Sequence, residues 1–351
     1  MTAGPRRISV VLPVLDEERH IGEVLGSLLE QEFPEDMFEI VVVDGGSTDK
    51  TAEVVSRFAT AHSNVTLLHN EKKLSSAGRN AGARAAKGDV VLFIDGHCEV
   101  PGRLLLASAA RLFAETGADV LCRPQPLDVP AEPGTRATRV QRAIALARSS
   151  WLGHNPSSVI FATKKEGFVD PESSGAAYTR KVFERIGGFD ETFDACEDVD
   201  FNLRAKKAGL RAYTSPALTV RYVARENLRS LFRQMMRYGR GRARLVMKHR
   251  LDAARSALLL GLPPLLAALL VALSFFSRRA LLLLVLAASG YVAALIVTAL
   301  ILSSRRDARL FSSLALVFLT LHAGLFAGFW EGLFRGRQSS AARLARTHDK
   351  R

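Results

Sequence analysis

Between residues 8 and 95, short apolar runs alternate with amphipathic stretches, and this alternation leaves few folds open. We interpret the runs ISVVLPVL, EIVVVD, VTLLH and DVVLFID as strands. The first is continuously apolar, which is typical of a strand covered on both faces. In the stretch that follows it, apolar residues share one helical face: Ile21, Val24, Leu25, Leu28 and Leu29. The pattern predicts an α/β domain with a mostly parallel sheet and right-handed crossovers.

Acidic residues follow three of these strands, whose ends carry PVLDEE, DGGSTD and IDGH. Because ligands bind at the carboxyl ends of the strands in such sheets, the three clusters mark one rim as a candidate site. Taken alone, DGGSTD is equally well explained as a turn in which Ser47, Thr48 or Asp49 caps the next helix. No GxxxxGK[ST] motif occurs and no GxGxxG follows the first strand, so neither a P-loop ATPase nor a dinucleotide-dependent oxidoreductase is expected.

The composition changes at about Leu258, where long apolar segments begin. They comprise residues 257–276, 280–302 and 310–334. Each is long enough to cross a hydrocarbon core of about 30 Å, and none has the polar face of a helix on a soluble bundle. We therefore predict two to three transmembrane helices over residues 257–334, followed by a basic tail over 335–351. Three spans would place that tail outside, whereas an interfacial first segment, broken by Pro263 and Pro264, would return it to the cytoplasm.

The net charge of +13 favours anionic partners. Residues 225–256 are rich in Arg and carry an apolar stripe opposite a basic face, which predicts an amphipathic helix on anionic membrane lipids. Nucleic acid is not expected, because the basic residues lie beside apolar segments and not among aromatic stacking platforms. Three widely spaced cysteines fit a reducing compartment. The short N-terminal apolar run ends in three acids, so we interpret it as a cytoplasmic strand and not as a signal peptide.

Five motifs in order resemble glycosyltransferase family 2: VVLPVLDEE, IVVVDGGSTDKT, SSAGRNAGARAAKGDVVLFIDGH, GGFDETFDACEDVDFNLRAKKAG and RQMMRYGRGRAR. The chain is most similar to the succinoglycan-biosynthesis type of membrane-anchored glucosyltransferase, over about residues 7–250. The resemblance implies a GT-A fold, that is, a Rossmann-like catalytic domain, over residues 1–224. It also implies sugar transfer from a nucleotide diphosphate with inversion at the anomeric carbon.

The resemblance assigns the donor-binding residues. Pro13, Leu15 and Glu17 are expected to line the nucleoside, and Asp44 to accept a hydrogen bond from the uracil or ribose. Arg79 lies where the family places a basic or polar group near the nucleotide, and its guanidinium suits a phosphate or a base edge. A solvated helix arginine is the alternative for Arg79.

A divalent metal is expected at Asp95, where it would act as a Lewis acid towards the departing nucleotide diphosphate. The family usually has a second aspartate at the position of His97, although it includes members with DxH. If the strand continues that far, residue alternation puts His97 on the same side as Asp95. Manganese accepts imidazole more readily than magnesium does, so Mn²⁺ or Mg²⁺ is expected, with His97 favouring manganese. A loop histidine bonded to a carbonyl is the alternative.

The catalytic assignment rests on CEDVDFNLR. Asp198 resembles the family's general base, which removes the proton of the attacking hydroxyl, and Glu197 is expected to orient the acceptor or support Asp198. A helix-capping role is the alternative for Asp198. Asp200 and Arg204 are better explained as an ordinary helix ion pair.

Two segments are assigned to the acceptor side. Gly175 resembles a residue that lines the acceptor pocket. Gln234, Arg237 and Tyr238 resemble the QxxRW signature of membrane-bound polysaccharide synthases, with Tyr in place of Trp. That substitution and the small number of apolar segments favour single sugar addition over polymerisation and export.

These features predict a multi-pass protein of the plasma membrane with a cytoplasmic catalytic domain. It would move a hexose, with glucose and a UDP donor favoured, to a lipid-linked saccharide or another membrane-proximal acceptor in polysaccharide biosynthesis. A polyprenyl-phosphate mannosyl- or glucosyltransferase is the nearest alternative. A sugar-nucleotide nucleotidylyltransferase is less favoured, because the Gly-rich loop GxGTRLxPLT is missing after the first strand.

Overall fold

The predicted alternation of strands and helices is present in the computed structural model, which describes residues 6–128, 138–154 and 158–348. The strands are β1 (Ile8–Val14), β2 (Phe38–Asp44), β3 (Val65–His69), β4 (Val90–Phe93), β5 (Cys98–Glu99), β6 (Val120–Cys122), β7 (Leu127–Asp128), β8 (Gly167–Val169), β9 (Gly175–Thr179), β10 (Ala212–Thr214) and β11 (Arg221–Val223). The helices are α1 (Ile21–Leu29), α2 (Thr51–Ala61), α3 (Ser75–Ala85), α4 (Leu105–Thr116), α5 (Arg139–Arg148), α6 (Arg180–Ile186), α7 (Glu197–Lys207), α8 (Leu228–His249), α9 (Ala254–Ser274), α10 (Arg278–Ser304) and α11 (Phe311–His348).

The chain divides into two compact units. The first unit comprises residues 1–128 and 155–223, and the second comprises residues 129–154 and 224–351. The sequence placed the end of the catalytic domain at residue 224, but it assigned α5 to that domain. The structure instead groups α5 with the C-terminal helices.

The first unit is built on an eight-stranded sheet of order β3-β2-β1-β4-β9-β6-β10-β8. Strands β1 to β4 are parallel, β9 runs antiparallel to both of its neighbours, and β8 is antiparallel at the edge. The predicted mostly parallel sheet is therefore confirmed. A small second sheet of order β5-β11-β7 completes the unit.

Both faces of the sheet are covered, as the continuous apolar run of β1 predicted. Val10 and Leu12 point into one core with Leu25 of α1, and Val11 points into the opposite core with Phe201 of α7. On the second face α3 lies so close to the sheet that a Cβ on Gly82 would overlap Val11. This close packing brings the start of α3 to the carboxyl end of β1.

The second unit contains α5 and the helices from α8 to α11. Residues 278–304 and 308–336 form two helices that are long and apolar enough to cross a membrane, and only 11% and 33% of their apolar windows are buried. The apolar stretch of α9, residues 258–274, is shorter and contains Pro263 and Pro264. The described residues therefore contain two candidate spans, the smaller of the two numbers predicted.

The apolar stripe of α8, from which contact with a membrane surface was predicted, packs against α11. Leu231 and Met235 are buried. A Cβ on Gly324 of α11 would lie 2.7 Å from the Cβ of Met235, and one on Gly328 would overlap the backbone of Met236. Because these α11 positions are glycines, the backbones of α8 and α11 can approach closely, and the buried apolar residues of α8 face α11.

Candidate active site

The loops after β1 and β2 are joined at the carboxyl edge of the sheet by reciprocal hydrogen bonds. The N–H of Asp16 donates to Ser47 Oγ at 2.9 Å, and the N–H of Thr48 donates back to Asp16 Oδ1 at 2.7 Å. The N–H of Glu17 donates to Thr51 Oγ1 at 2.7 Å. Asp16 has a positive φ of 54° and was not singled out from the sequence. Its role depends on a partner loop some thirty residues away, which no local pattern reports.

Asp44, at the end of β2, is buried and held by its own turn. Its carboxylate accepts from Ser47 Oγ at 2.5 Å, from the N–H of Ser47 at 3.2 Å and from the N–H of Gly46 at 3.3 Å. Gly46 has a φ of +81°, the left-handed conformation that glycine adopts without strain. The turn therefore presents Asp44 in one fixed orientation at the rim.

Pro13 and Leu15 lie beside this turn. A Cβ on Gly45 would lie 3.7 Å from Leu15 Cδ1, and one on Gly78 of α3 would lie 3.2 Å from Pro13 Cβ. The Leu15 side chain is 48% exposed. The rim thus carries an apolar surface next to the Asp44 carboxylate.

Arg79 is the centre of a charged network, not a solvated helix residue. Its Nη2 donates to Asp95 Oδ1 at 2.9 Å and its Nε to Glu197 Oε1 at 3.3 Å. The guanidinium carbon lies 5.2 Å from the centroid of the Phe93 ring. Its side chain is only 14% exposed. Burial alone would lower the pKa of this guanidinium, but the two carboxylates raise it above its ordinary value, so it stays charged.

Asp95 lies beyond the end of β4, which stops at Phe93. Its side chain is 31% exposed, so the carboxylate reaches the rim although Arg79 holds one of its oxygens. Burial opposes ionisation of this carboxyl, yet the guanidinium groups of Arg79 and Arg123 hold its pKa below the usual value. The group is therefore an anion at neutral pH.

His97 lies in a turn, so the condition under which strand alternation would align it with Asp95, a strand that continues to His97, is not met. Among the described residues its ring nitrogens have no carbonyl partner: Nδ1 lies 2.6 Å from Glu17 Oε1, and Nε2 has no hydrogen bond. The ring stands edge-on to Tyr222 at 4.6 Å between centroids. The intervening Gly96 leaves room for this contact, because a Cβ there would lie 2.9 Å from Val14 Cγ1 and 3.1 Å from Glu17 Cγ. The tertiary contact with Glu17, and not strand geometry, orients the imidazole.

The donor atoms at this rim fit part of a divalent metal site. Asp95 offers a partly exposed carboxylate. The Nε2 of His97 is buried and has no hydrogen-bond partner among the described residues, while its Nδ1 is held by a carboxylate, as is usual for metal-bound histidines. No group of three or more His, Cys, Asp or Glu in the described ranges is arranged to hold a metal ion. The remaining ligands would have to come from substrate phosphates and water.

Arg123 is a functional candidate that the sequence did not reveal. It is 5% exposed, and its Nη1 donates to the carbonyl oxygen of Phe93 at 2.8 Å. Its charge acts on Asp95, although burial lowers the pKa of the guanidinium itself. The surrounding CRPQP has no motif character, so only the fold could place this cation behind the rim.

The first turn of α7 separates the two acids of the ED pair. Glu197 points inward to Arg79 and its side chain is 9% exposed, whereas Asp198 is exposed. Cys196, just before the helix, has a φ of 63°. The expected ion pair between Asp200 and Arg204 is present, at 2.9 Å. Asp198 is thus an accessible carboxylate at a helix N-terminus, supported by a buried neighbour that is tied to Asp95 through Arg79.

The residues assigned to the acceptor side belong to different units. Gly175, in the first unit, is needed because a Cβ would overlap Asn202 and approach the hydroxyl of Tyr178 to 2.9 Å. Gln234, Arg237 and Tyr238 belong to α8 in the second unit. Gln234 is buried and its Nε2 donates to the Tyr238 hydroxyl at 3.4 Å, while Arg237 is exposed.

Comparisons with known proteins agree with this architecture. The model described as Glycosyl transferase family 2 matches residues 9–187, and the model described as Glycosyl transferase family group 2 matches residues 104–330. The chain therefore belongs to glycosyltransferase family 2 and is a glycosyltransferase, which confirms the resemblance found in its motifs.

Curated relatives act in glycan synthesis. Succinoglycan biosynthesis protein ExoA of Rhizobium meliloti (strain 1021) is 32% identical over 259 residues, 73% of this chain and 75% of that protein. A dolichyl N-acetyl-alpha-D-glucosaminyl phosphate 3-beta-D-2,3-diacetamido-2,3-dideoxy-beta-D-glucuronosyltransferase of Methanococcus voltae is 27% identical over 69% of this chain and 74% of its own.

A solved structure shares the fold. The mannosyltransferase PcManGT from Pyrobaculum calidifontis, in complex with GDP-Man and Mn²⁺, has a TM-score of 0.59 at 24% identity, covering 94% of this chain and 88% of that one. The GT-A fold predicted for the chain is thus confirmed.

Proposed function

We propose that the chain is a membrane-anchored, inverting hexosyltransferase that uses a nucleotide diphosphate sugar, with UDP-glucose favoured. Its acceptor would be a lipid-linked saccharide in polysaccharide or glycan biosynthesis. The observation that carries this proposal is the network in which one buried guanidinium, Arg79, holds both Asp95 at the donor rim and Glu197 beside Asp198.

The rim supplies the groups that a nucleotide sugar requires. The apolar surface of Pro13 and Leu15 suits a nucleoside, and the fixed Asp44 carboxylate can accept from a base or ribose. Asp95 and His97 would hold a divalent cation, which when bound acts as a Lewis acid towards the nucleotide diphosphate. The Mn²⁺ present with GDP-Man in the mannosyltransferase supports a divalent metal without deciding which one.

Asp198 is proposed as the general base. It is an exposed carboxylate and can accept the proton of an acceptor hydroxyl, while Glu197 is held by Arg79 and keeps the first turn of α7 in place. That hydroxyl attacks the anomeric carbon on the face opposite the nucleotide diphosphate. The new glycosidic bond forms as the bond between the sugar and the nucleotide diphosphate breaks, and the nucleotide diphosphate departs. The product is inverted at the anomeric carbon.

We also propose that the two candidate spans cross the plasma membrane with the catalytic unit on the cytoplasmic side. Their apolar surface is mostly exposed, with leucines such as Leu282 and Leu286 67% and 70% exposed. In water this surface would be unfavourable, whereas a bilayer solvates it.

The test is a panel of nucleotide sugars given to the purified chain in lipid nanodiscs, with and without Mn²⁺ or Mg²⁺. Release of one nucleotide diphosphate only when metal and an acceptor lipid extract are present is the expected result. Absence of release with every sugar would refute the proposal. Mild acid then distinguishes the polyprenyl-phosphate alternative, because a sugar phosphate ester is cleaved and a glycosidic bond between sugars survives.

A further inference from the structure

The second unit contains a cluster of cations that the sugar-transfer chemistry does not use. Gln234, Tyr238 and Arg242 are spaced four residues apart on α8 and so share one helix face. Arg148, at the end of α5, faces them: its Nη1 lies 3.5 Å from Gln234 Oε1, and its guanidinium carbon lies 5.8 Å from the centroid of the Tyr238 ring. Two helices therefore bring two guanidinium groups to the same place.

The two helices that carry these charges supply no carboxylate of their own to neutralise them. Helices α5 and α8 contain no Asp or Glu. Within the described part of the chain no ion pair is formed by Arg148 or Arg242, although both are partly buried, whereas Arg240 on the same helix is paired with Glu331 at 3.2 Å. Partly buried arginines without a carboxylate are costly unless an anion binds them.

A histidine completes the cluster. His154 follows α5 by six residues, and burial together with the charges of Arg148 and Arg242 lowers its pKa to about 4. At neutral pH it is an uncharged imidazole within the electrostatic range of both guanidinium groups. Such a group can donate a hydrogen bond to a phosphate oxygen without itself needing a counter-ion.

The surroundings point to a lipid as the source of the anion. Trp151, in the loop between Arg148 and His154, is 64% exposed, and exposed tryptophan is typical of the membrane interface. The same loop is tied to the second candidate span, because His322 Nε2 on α11 donates to the carbonyl oxygen of Leu152 at 3.1 Å. The cluster is thus attached to the part of the chain proposed to lie in the bilayer.

We infer that Arg148, Arg242 and His154 form a binding site for the phosphate group of a membrane lipid, the phosphate of the lipid-linked acceptor. The inference rests on the proposed function and extends it by naming where the acceptor's anionic group is held. Planar guanidinium groups suit this task, since each can donate two hydrogen bonds to a phosphate.

The probe is farnesyl phosphate, compared with farnesol and with inorganic phosphate, and binding is measured on the full chain in nanodiscs of neutral lipid without any nucleotide sugar. We expect Arg148→Gln and Arg242→Gln each to weaken farnesyl phosphate binding about tenfold. The matched control is Arg233→Gln, an exposed arginine of α8, which should leave binding unchanged.

Several results would overturn the inference. Unchanged affinity in both cluster variants, or an equal loss in Arg233→Gln, would show that the cluster is not the site. Equal binding of farnesol would exclude phosphate recognition, and equally strong binding of inorganic phosphate would show a site for free anions. Should a Gln variant unfold, Arg242→Lys keeps the charge and is expected to bind within about threefold of the parent; a larger loss in folded protein contradicts the inference.

The two proposals fail separately. Nucleotide diphosphate release with normal farnesyl phosphate binding in the cluster variants would refute only the phosphate site. Lack of nucleotide diphosphate release with every nucleotide sugar would refute the transferase proposal, whether or not farnesyl phosphate binds.

Discussion

At the scale of single residues, Arg79 determines how the two halves of the candidate site are related. Its guanidinium is bonded to Asp95, sixteen positions along the chain, and to Glu197, 118 positions along the chain. Arg79, which was predicted to contact the nucleotide, is therefore already paired with two carboxylates of the protein. The ion pairs keep Asp95 ionised and orient the first turn of α7, so Asp198 stays exposed.

Replacing Asp198 tests the general base. Asp198→Asn keeps the size of the side chain but cannot accept the proton, so we expect turnover to fall by about 10²–10⁴ while nucleotide affinity is retained. Steady-state kinetics and calorimetry with the nucleotide diphosphate measure the two quantities. Glu184→Gln, at an exposed position of α6, is the control and should change neither. Loss of both activity and nucleotide binding in Asp198→Asn would mean a structural role.

Replacing Arg79 tests the network. Arg79→Met leaves two carboxylates without their cation, and we expect a loss of about 3 kcal/mol in unfolding free energy and weaker metal-dependent nucleotide binding. Thermal unfolding and nucleotide titration with and without Mn²⁺ are the measurements. The exposed Arg84 of the same helix provides the control, Arg84→Met. Equal stability of the two variants would contradict the network.

The cysteines offer a test of burial that does not depend on activity. Burial raises the pKa of Cys98 and of Cys122 to about 12, so at pH 8 only about one thiol in ten thousand is ionised. We expect no labelling of either thiol by iodoacetamide at pH 8 in the folded chain, and full labelling in denaturant. Rapid labelling of the native protein would show that these strand positions are accessible.

At the scale of elements, the pairing of α8 with α11 changes what the amphipathic pattern means. Gly324, Gly328, Gly332 and Gly336 recur every four residues on α11, and each faces α8. The basic helix is therefore anchored to a candidate span by close packing. Its apolar stripe serves this contact, which leaves the opposite, Arg-rich face for solvent, lipid or ligand.

We expect Gly328→Leu to separate α8 from α11, because a side chain there would overlap the backbone of Met236. The cost should be about 1–3 kcal/mol or more, seen as a lower unfolding temperature in nanodiscs. Gly290→Leu on α10, where a Cβ meets no atom within 4 Å, is the matched control. If Gly328→Leu and Gly290→Leu both unfold at the same temperature as the unmodified chain, the close packing does not stabilise the unit.

At the scale of the whole molecule, the α/β unit is followed along the chain by helices whose apolar surface is exposed. An apolar helix of this length can cross the bilayer and stay there during extraction, whereas a helix held at the membrane surface by charge can be released. We expect the full chain to remain in the membrane pellet after extraction at alkaline pH and after high salt. Release into the supernatant by either treatment would show a peripheral protein and contradict two crossing spans.

Local patterns in the sequence were sufficient for the order of strands and helices up to β4, the mostly parallel sheet and the family. They also located the apolar C-terminal segments but left open whether two or three of them are spans. These features depend on periodicity and short motifs, which act between residues close in the chain. The alternation in β1, with Val10 and Val11 in opposite cores, is a direct example.

Only the tertiary structure decided which groups meet. The contact of His97 with Glu17 joins residues eighty positions apart, and strand alternation does not reach His97 because β4 ends at Phe93. The buried Arg123, the grouping of α5 with the C-terminal helices and the pairing of Arg148 with α8 likewise have no local signature. Ion pairs and helix contacts of this kind are set by how elements pack, and packing joins residues that no periodicity relates.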